Sequence, residues 1–435
     1  MPGGGANLGM ITRIEIDGFK SLRAFSLDLE PLTAIVGPNG AGKSNLFDAL
    51  ALLAKVAETN LVTAFKGGRG RIRDQFARTP EGVERSMRFA VELLLLPGSS
   101  RHELGQSRVR YEVEIERTIE RGGLDGLVIT RERLLPLRQG ADAWIEHHPH
   151  WGPLARYGTA ELCVELEGAS GPERIVRMEP GDGGPSLSVD IGRDRSLLSL
   201  PYALVTALVE ATSRELRSFR LLHLEPHRLT KPSDRAAGTT LAEDGSNLPT
   251  VLAALGPESR AAIRKDMETL LPGFRGFEVT PFEDELRLEA DFMDTKRLPA
   301  RLLSDGMLRL LALFTLLRSA RRGAIVAIEE PENGVYPGRL RALVDSLLSA
   351  TSPTLGEVTT VPQVLLSTHS TAIIASLRGL PRAIVFADLV RGRDGMRSTR
   401  MRHVVSEGES ESGAVPSVSS GEMMRLLESS RPWDD

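Results

Sequence analysis

"LTAIVGPNGAGKSN", residues 32–45, decides the fold. Five apolar and β-branched residues read as a buried strand, and the run beyond Lys43 reads as a helix. Between them stands G-x-x-x-x-G-K-S, with Gly37, Gly42, Lys43 and Ser44 at its four fixed places. Glycines at 37, 40 and 42 let backbone N–H groups turn inward around phosphate oxygens, and the following helix aims its positive end at the same point. Asn39 and Asn45 flank this cradle, Lys43 is placed to reach β and γ phosphates, and the Ser44 hydroxyl is a ligand for Mg2+. The expected core is an α/β sheet that binds a nucleoside triphosphate.

Such a core needs acids at the end of a neighbouring strand, to hold Mg2+ and to orient an attacking water. "GAIVAIEEPENGVYP" (323–337) supplies an apolar strand ending in Glu329 and Glu330, two acids that can divide those roles. "QVLLSTHST" (363–371) repeats the arrangement, a short apolar strand followed by Thr368 and His369, and an imidazole there can bond a γ-phosphate or a catalytic water. A third stretch, "LLSDGMLRLLALF" (302–314), sets Ser304, Asp305 and Gly306 before a run hydrophobic on nearly all sides, which reads as a buried helix. A serine in that place is an N-cap, but a plain N-cap needs no glycine two residues on.

In this order the parts resemble the ATP-binding-cassette ATPases of the RecF/SMC type, and closely resemble prokaryotic RecF-like AAA-family ATPases. Five pieces carry the resemblance: "GFKS" (Gly18–Ser21), "GPNGAGKSN" (Gly37–Asn45), "LSDGMLRLLAL" (Leu303–Leu313), "EEPENG" (Glu329–Gly334) and "STHS" (Ser367–Ser370). "EDGSNLPTVLAAL" (243–255) is similar to a further segment of that subfamily, and the likeness covers roughly residues 10–390. It implies ATP and Mg2+ as cofactors, Glu329 as the Mg2+-associated acid, Glu330 as the base or water-positioning residue, and His369 as the switch histidine. It also implies that Ser304 and Gly306 meet the γ-phosphate of ATP held by a second copy, so that nucleotide completes a homodimer. Asp305, Met307, Tyr336 and Thr371 depart from commoner residues of the pattern and bear on turnover. Gln75 is a candidate for the family's glutamine loop.

Around these motifs the implied fold is a P-loop ABC-type ATPase head, a mixed central sheet with helices, carrying an inserted antiparallel β lobe and a helical segment. The expected divisions are 11–84 and 301–390 for the two parts of the head, 85–200 for the β lobe, 201–300 for helices and a hairpin, and 391–435 for a partly disordered tail. The lobe is read from "RVRYEVEIER" (108–117), where Val109, Tyr111, Val113 and Ile115 alternate with charged residues at period two. Residues before Ile11 are expected to lie outside the patterned fold. In the tail, 406–420 is biased toward Ser, Gly and Glu, and "EMMRLLE" reads as a short helix that either docks on its own domain or engages a partner.

Composition narrows the function. The 435 residues carry 54 basic and 58 acidic side chains, so nucleic-acid contact requires a local patch. "FKGGRGRIRDQFAR" (65–78) offers one, with Lys66, Arg69, Arg71, Arg73 and Arg78 against Asp74. It reads equally as a solvated loop or as a contact to DNA phosphates. The single cysteine, Cys163, excludes an intramolecular disulfide and reads as a core thiol. "EHHPHW" (146–151) lacks structural-zinc spacing and reads as a surface loop. No stretch is long and apolar enough for a membrane span, so a cytoplasmic location is expected. Ser304 lies some 260 residues after Ser44, and no heptads are sustained, which disfavours a transporter and long coiled-coil arms. With so short a stretch after position 387, an appended nuclease domain is not expected. Two functions remain: an ATP-gated DNA-binding ATPase of repair or genome maintenance, or an ATPase sensor of an anti-phage defence or toxin system that controls a protein effector.

Overall fold

The computed structural model describes residues 8–96, 104–119, 125–158, 164–167, 173–178, 187–319, 324–352, 362–392, 394–405 and 417–429. Cys163 and positions 406–416 lie outside them. The chain forms two compact units: Met1–Glu30 with Gly37–Phe219 and Val385–Asp435, and Pro31–Val36 with Arg220–Ile384.

The first unit is built on an eight-stranded antiparallel sheet. Its order is Leu187–Gly192, Glu173–Met178, Val164–Glu167, Asp125–Pro136, Arg108–Ile119, Ser86–Leu96, Leu8–Asp17 and Phe25–Asp28. The strands of 85–200 therefore continue the sheet begun at the N-terminus, with Ile14 opposite Val91. The first strand starts at Leu8, ahead of the expected Ile11. Period-two alternation has its physical cause in the register: Val109, Tyr111, Val113 and Ile115 oppose Leu93, Val91, Phe89 and Met87, and all eight are buried. On the other face Arg110 bonds Glu15, Glu92 and Glu112, at 2.5, 3.1 and 2.7 Å.

In "EHHPHW" Glu146, His147, Pro149 and His150 are exposed, as a surface segment would have them, whereas His148 and Trp151 turn inward. His148 is buried, stacked on Trp144 with ring centroids 4.0 Å apart, and its Nε2 lies 2.7 Å from Glu30. Trp144 donates from Nε1 to the Leu29 carbonyl at 2.9 Å. Two tryptophans in and beside the triplet turn a polar sequence into a core cluster, a context the histidines alone do not signal. Among the described residues no group of three or more acids, histidines or cysteines is arranged to hold a metal.

The helix Ala207–Arg217 buries Glu215, one of whose carboxyl oxygens has no hydrogen-bond partner among the described residues. Burial, only partly offset by the Gly9 backbone N–H, pushes this carboxyl up from 4.5 to about 8. Between those values the unfolded chain ionises while the folded chain keeps its proton, so stability falls as pH rises across the window. Glu215→Gln is expected to flatten that slope and to stabilise the protein above pH ~8 by on the order of a few kcal/mol. Thermal melts of both proteins across a pH series check it.

At the other end of the unit, the strand Arg397–Val405 pairs antiparallel with Ile384–Arg391 and parallel with Ser417–Ser419. The helix Ser420–Ser429 follows, with Met423 buried and Glu422 within 3.4 Å of Arg402. The terminal helix thus docks on its own unit.

The second unit has a parallel sheet in the order Arg220–Leu222, Ile325–Glu329, Gln363–Thr368, Leu32–Val36. All but its first strand are near-continuous apolar runs, as expected of strands covered on both faces. The helix Leu340–Thr351 contacts two of these strands. Helices Leu248–Ala254, Pro257–Leu270 and Asp305–Ser319 pack together, and the hairpin Phe274–Phe282 and Glu285–Phe292 stands beside them. Among the described residues no helix is long and apolar enough to cross a membrane.

Candidate functional site

In the first unit, the loop after Val36 holds the expected cradle. Gly40 and Gly42 have φ of +78° and +91°, a left-handed backbone that glycine adopts without strain. A Cβ on Gly37 would lie 2.2 Å from the Ala387 carbonyl oxygen, and one on Gly42 would lie 1.9 Å from the Thr399 hydroxyl. Around Gly40 there is open space. Two glycines therefore serve close packing and one faces outward. The helix Lys43–Val56 starts on Gly42 with no side-chain cap and no acid in its first turn, which leaves its positive end suited to an anion. Lys43 Nζ folds over the loop and donates to the carbonyls of Gly37 and Pro38 at 2.7 and 2.9 Å.

"GFKS" finds its role here. The Ser21 hydroxyl accepts from Asn45 Nδ2 at 2.7 Å and shares a hydrogen bond with the Thr399 hydroxyl at 2.6 Å, and Thr399 also donates to the Ala41 carbonyl. Lys20 pairs with Asp48, one turn into the helix, at 2.6 Å. Asn45 thus holds the loop to its neighbours. Thr399 carries no sequence signal for this part, since it comes from the far end of the chain.

Downstream, Lys66, Arg69, Arg71, Arg73 and Arg78 are all exposed, and Arg69 lies 3.6 Å from Asp48. Gln75 is different: it is buried and donates to the Phe65 carbonyl at 2.8 Å, a packing role rather than a loop reaching a ligand.

In the second unit, parallel register brings three strand ends to one edge. Glu329 is opposite Ser367, and Thr368 is opposite Val36, the residue from which the chain enters the glycine loop. Glu330 turns away with φ of +49°, which for a residue with a side chain is a strained conformation. Its N–H donates to the Ser367 carbonyl at 2.9 Å, and its Oε2 accepts from Asn333 Nδ2 at 2.7 Å. His369 Nδ1 stands 3.4 Å from Glu330 Oε1. Glu329 has His223 Nδ1 at 3.6 Å, from the end of the adjacent strand.

Sequence reasoning passed over several residues of this edge. Glu332 accepts from the Thr368 hydroxyl at 2.5 Å and from the His369 N–H at 3.3 Å. Thr368 in turn accepts from the Ser370 N–H at 2.9 Å, and Ser370 caps the helix Thr371–Ser376. A pocket lined by Leu222, Arg309, Leu313, Ile328, Glu329 and Glu330 adds an arginine from the helix Asp305–Ser319 beside the acids. The usable signals were the third acid of "EEPENG" and the arginine at the fifth helical position.

At the start of that helix the Ser304 hydroxyl accepts from the Met307 N–H at 3.3 Å, so the cap is real. Gly306 has a separate cause. A Cβ there would lie 2.0 Å from the carbonyl oxygen of Gly334, which itself has φ of +82°. The helix start and the turn after the two acids meet backbone to backbone.

The donors fit the expected ligands. The Ser44 hydroxyl and the Glu329 carboxylate are hard oxygens of the kind Mg2+ takes, and Lys43 with the uncapped helix end matches a polyphosphate.

Comparison with known proteins points to an ATPase relationship. The family described as "AAA domain, putative AbiEii toxin, Type IV TA system" matches residues 188–375, and the AAA ATPase domain family matches residues 10–92. The chain is 43% identical to structural maintenance of chromosomes protein 1 of Schizosaccharomyces pombe over 56 residues, 12% of this chain and 5% of that protein. It is 48% identical to the OLD nuclease of Thermus scotoductus over 44 residues, 10% of this chain and 8% of that enzyme. Those matches span a small part of each relative. Among solved structures, an Smc head bound to the C-terminal winged-helix domain of ScpA is similar with a TM-score of 0.52 and 15% identity, over 90% of this chain and 97% of that one. Fold and motifs define a P-loop ATPase head. The two family matches and the Smc-head likeness of the fold support a relationship to the ABC/SMC-type ATPases.

Proposed function

We propose that the protein is a RecF/SMC-like ATPase that binds ATP with Mg2+, dimerises around the nucleotide, hydrolyses it, and acts on DNA in repair or genome maintenance. The alignment of Val36, Glu329 and Thr368 on one sheet edge supports the reading, because the glycine loop follows the first of these residues in the chain and Glu330 and His369 follow the other two. Lys43, Ser44 and the backbone of 37–42 take the phosphates. Ser44 and Glu329 hold Mg2+, Glu330 accepts the proton of the attacking water, and His369 bonds the γ-phosphate. Ser304 and Gly306 face the nucleotide of the second copy. The exposed cations of 66–78 offer phosphate contacts that neutralise DNA charge without reading sequence.

A second reading has its own support in the match of residues 188–375 to a family described by a toxin system. In it the same ATPase holds or releases a protein effector of an anti-phage defence or toxin system, and turnover answers to that protein instead of DNA.

Steady-state ATP turnover with and without double-stranded DNA separates the two. Stimulation by DNA that fades with rising salt is expected; turnover indifferent to DNA at low salt favours the protein-gated reading. Lys43→Ala is expected to weaken binding of a fluorescent ATP analogue roughly 10- to 100-fold, the worth of a charge-assisted contact to phosphate. Unchanged affinity in that variant would remove the glycine loop from the site.

A further inference from the structure

We propose that Glu332 is a positioning residue that sets His369 for its part in ATP turnover. The inference rests on the reading of His369 given above, and adds a residue to which no role has been given. Glu332 is nearly enclosed, its side chain 9% exposed, yet it stands on a turn whose neighbour Asn333 is open to solvent. A carboxylate is costly to bury without partners, so its bonds identify what it is for. Oε1 accepts both the Thr368 hydroxyl and the His369 backbone N–H, the residues on either side of the peptide that aims the imidazole. Thr368 passes the constraint on by accepting the Ser370 N–H, and Ser370 caps the next helix. The direction of the strand-to-helix turn is therefore fixed at one carboxylate oxygen.

The imidazole itself feels the same group. His369 Nδ1 is 3.4 Å from Glu330 and 4.0 Å from Glu332, so the ring stands between the two acids, nearer the one given the role of base. The other oxygen of Glu332 is buried without a hydrogen-bond partner among the described residues.

Removing the acceptor frees the Thr368 hydroxyl and the His369 N–H together, and the ring loses its orientation while the glycine loop keeps all its bonds. Glu332→Ala is expected to lower kcat about 10- to 100-fold, the usual effect of losing an outer partner of a reacting group. Affinity for a fluorescent ATP analogue is expected to stay within about twofold. Glu332→Gln, which retains an oxygen acceptor, should restore most of the rate. The double variant Glu332→Ala, His369→Ala should be no slower than His369→Ala alone, because the first residue acts through the second.

A readout independent of activity accompanies this. In histidine-labelled protein without nucleotide, the His369 ring resonance, assigned by its loss in His369→Ala, should move in Glu332→Ala and return in Glu332→Gln. If Glu332→Ala does not fold, Thr368→Val removes one of the two donors and carries the same expectation. Wild-type kcat in Glu332→Ala, a double variant as slow as the product of the two singles, or an unmoved ring resonance would overturn the proposal. A wild-type protein without ATP turnover would defeat the functional reading instead, and the ring resonance would still decide whether Glu332 positions His369.

Discussion

Glu330→Gln should bind ATP, form the nucleotide-dependent dimer and fail to turn over, with kcat down at least ~100-fold for loss of a general base. The glutamine keeps the shape of the side chain and an oxygen for Asn333 Nδ2, which bonds Glu330 Oε2 at 2.7 Å. What it cannot do is accept a proton. The backbone adds a second test, because Glu330 has φ of +49° and such strain costs about 1–3 kcal/mol for a residue with a side chain. Two hydrogen bonds impose it: the Glu330 N–H to the Ser367 carbonyl at 2.9 Å, and the Asn333 N–H to the Glu330 carbonyl at 3.0 Å. Glu330→Gly should therefore also lose turnover but raise Tm by about 2 to 4 °C, the shift expected for ~1 kcal/mol in a unit of this size. Turnover in Glu330→Gln, followed by a coupled assay, would remove the residue from the role of base. A lower Tm in Glu330→Gly would mean that the side chain stabilises more than the strain costs.

The strain also shows why some of the site is legible in the sequence and some is not. The glycine loop is local: strand, turn and helix follow one another within "LTAIVGPNGAGKSN", and each residue's conformational need is written in its own type. The alternation of 108–117 is local in the same way, and its buried face follows from period two. Gly306 and Gly334 are different, since the reason for each is the other, and only the packed structure brings them together. Glu332 reads as one more surface acid until Thr368 and His369 arrive beside it. His148 reads as solvated until Trp144 stacks on it and Glu30 bonds it. In the sheet, the pairing of 86–96 with the N-terminal strand joins segments that the change of pattern divides at residue 85. Periodicity reports which face is buried, and is silent on which strand covers the edge.

Gly306→Ala puts the two causes of the Ser304–Gly306 sequence in opposition. If Ser304 were only an N-cap and Gly306 only a helical residue, alanine would favour the helix by about 1 kcal/mol, and Tm would rise. Instead the new methyl would stand 2.0 Å from the Gly334 carbonyl oxygen and 2.6 Å from its carbon. Neither side can withdraw easily. The helix Asp305–Ser319 buries Leu308, Leu310, Leu311, Leu313 and Phe314, and Gly334 ends the turn that carries Glu332 and Asn333. Overpacking of this kind costs about 1–3 kcal/mol, so Tm is expected to fall. The turn is also expected to shift, carrying the partners of Thr368 and Glu330 with it, and a misplacement near 1 Å lowers turnover by about 100-fold. Ser304→Ala is the control, losing one cap bond to Met307 and about 1 kcal/mol, with the turn in place. Thermal melts of the two variants, with ATP turnover of Gly306→Ala, decide between the causes. A higher Tm with normal turnover in Gly306→Ala would reduce the motif to a helix cap, whereas a lower Tm with turnover lost makes the Gly306–Gly334 contact the joint between the helix start and the hydrolytic turn.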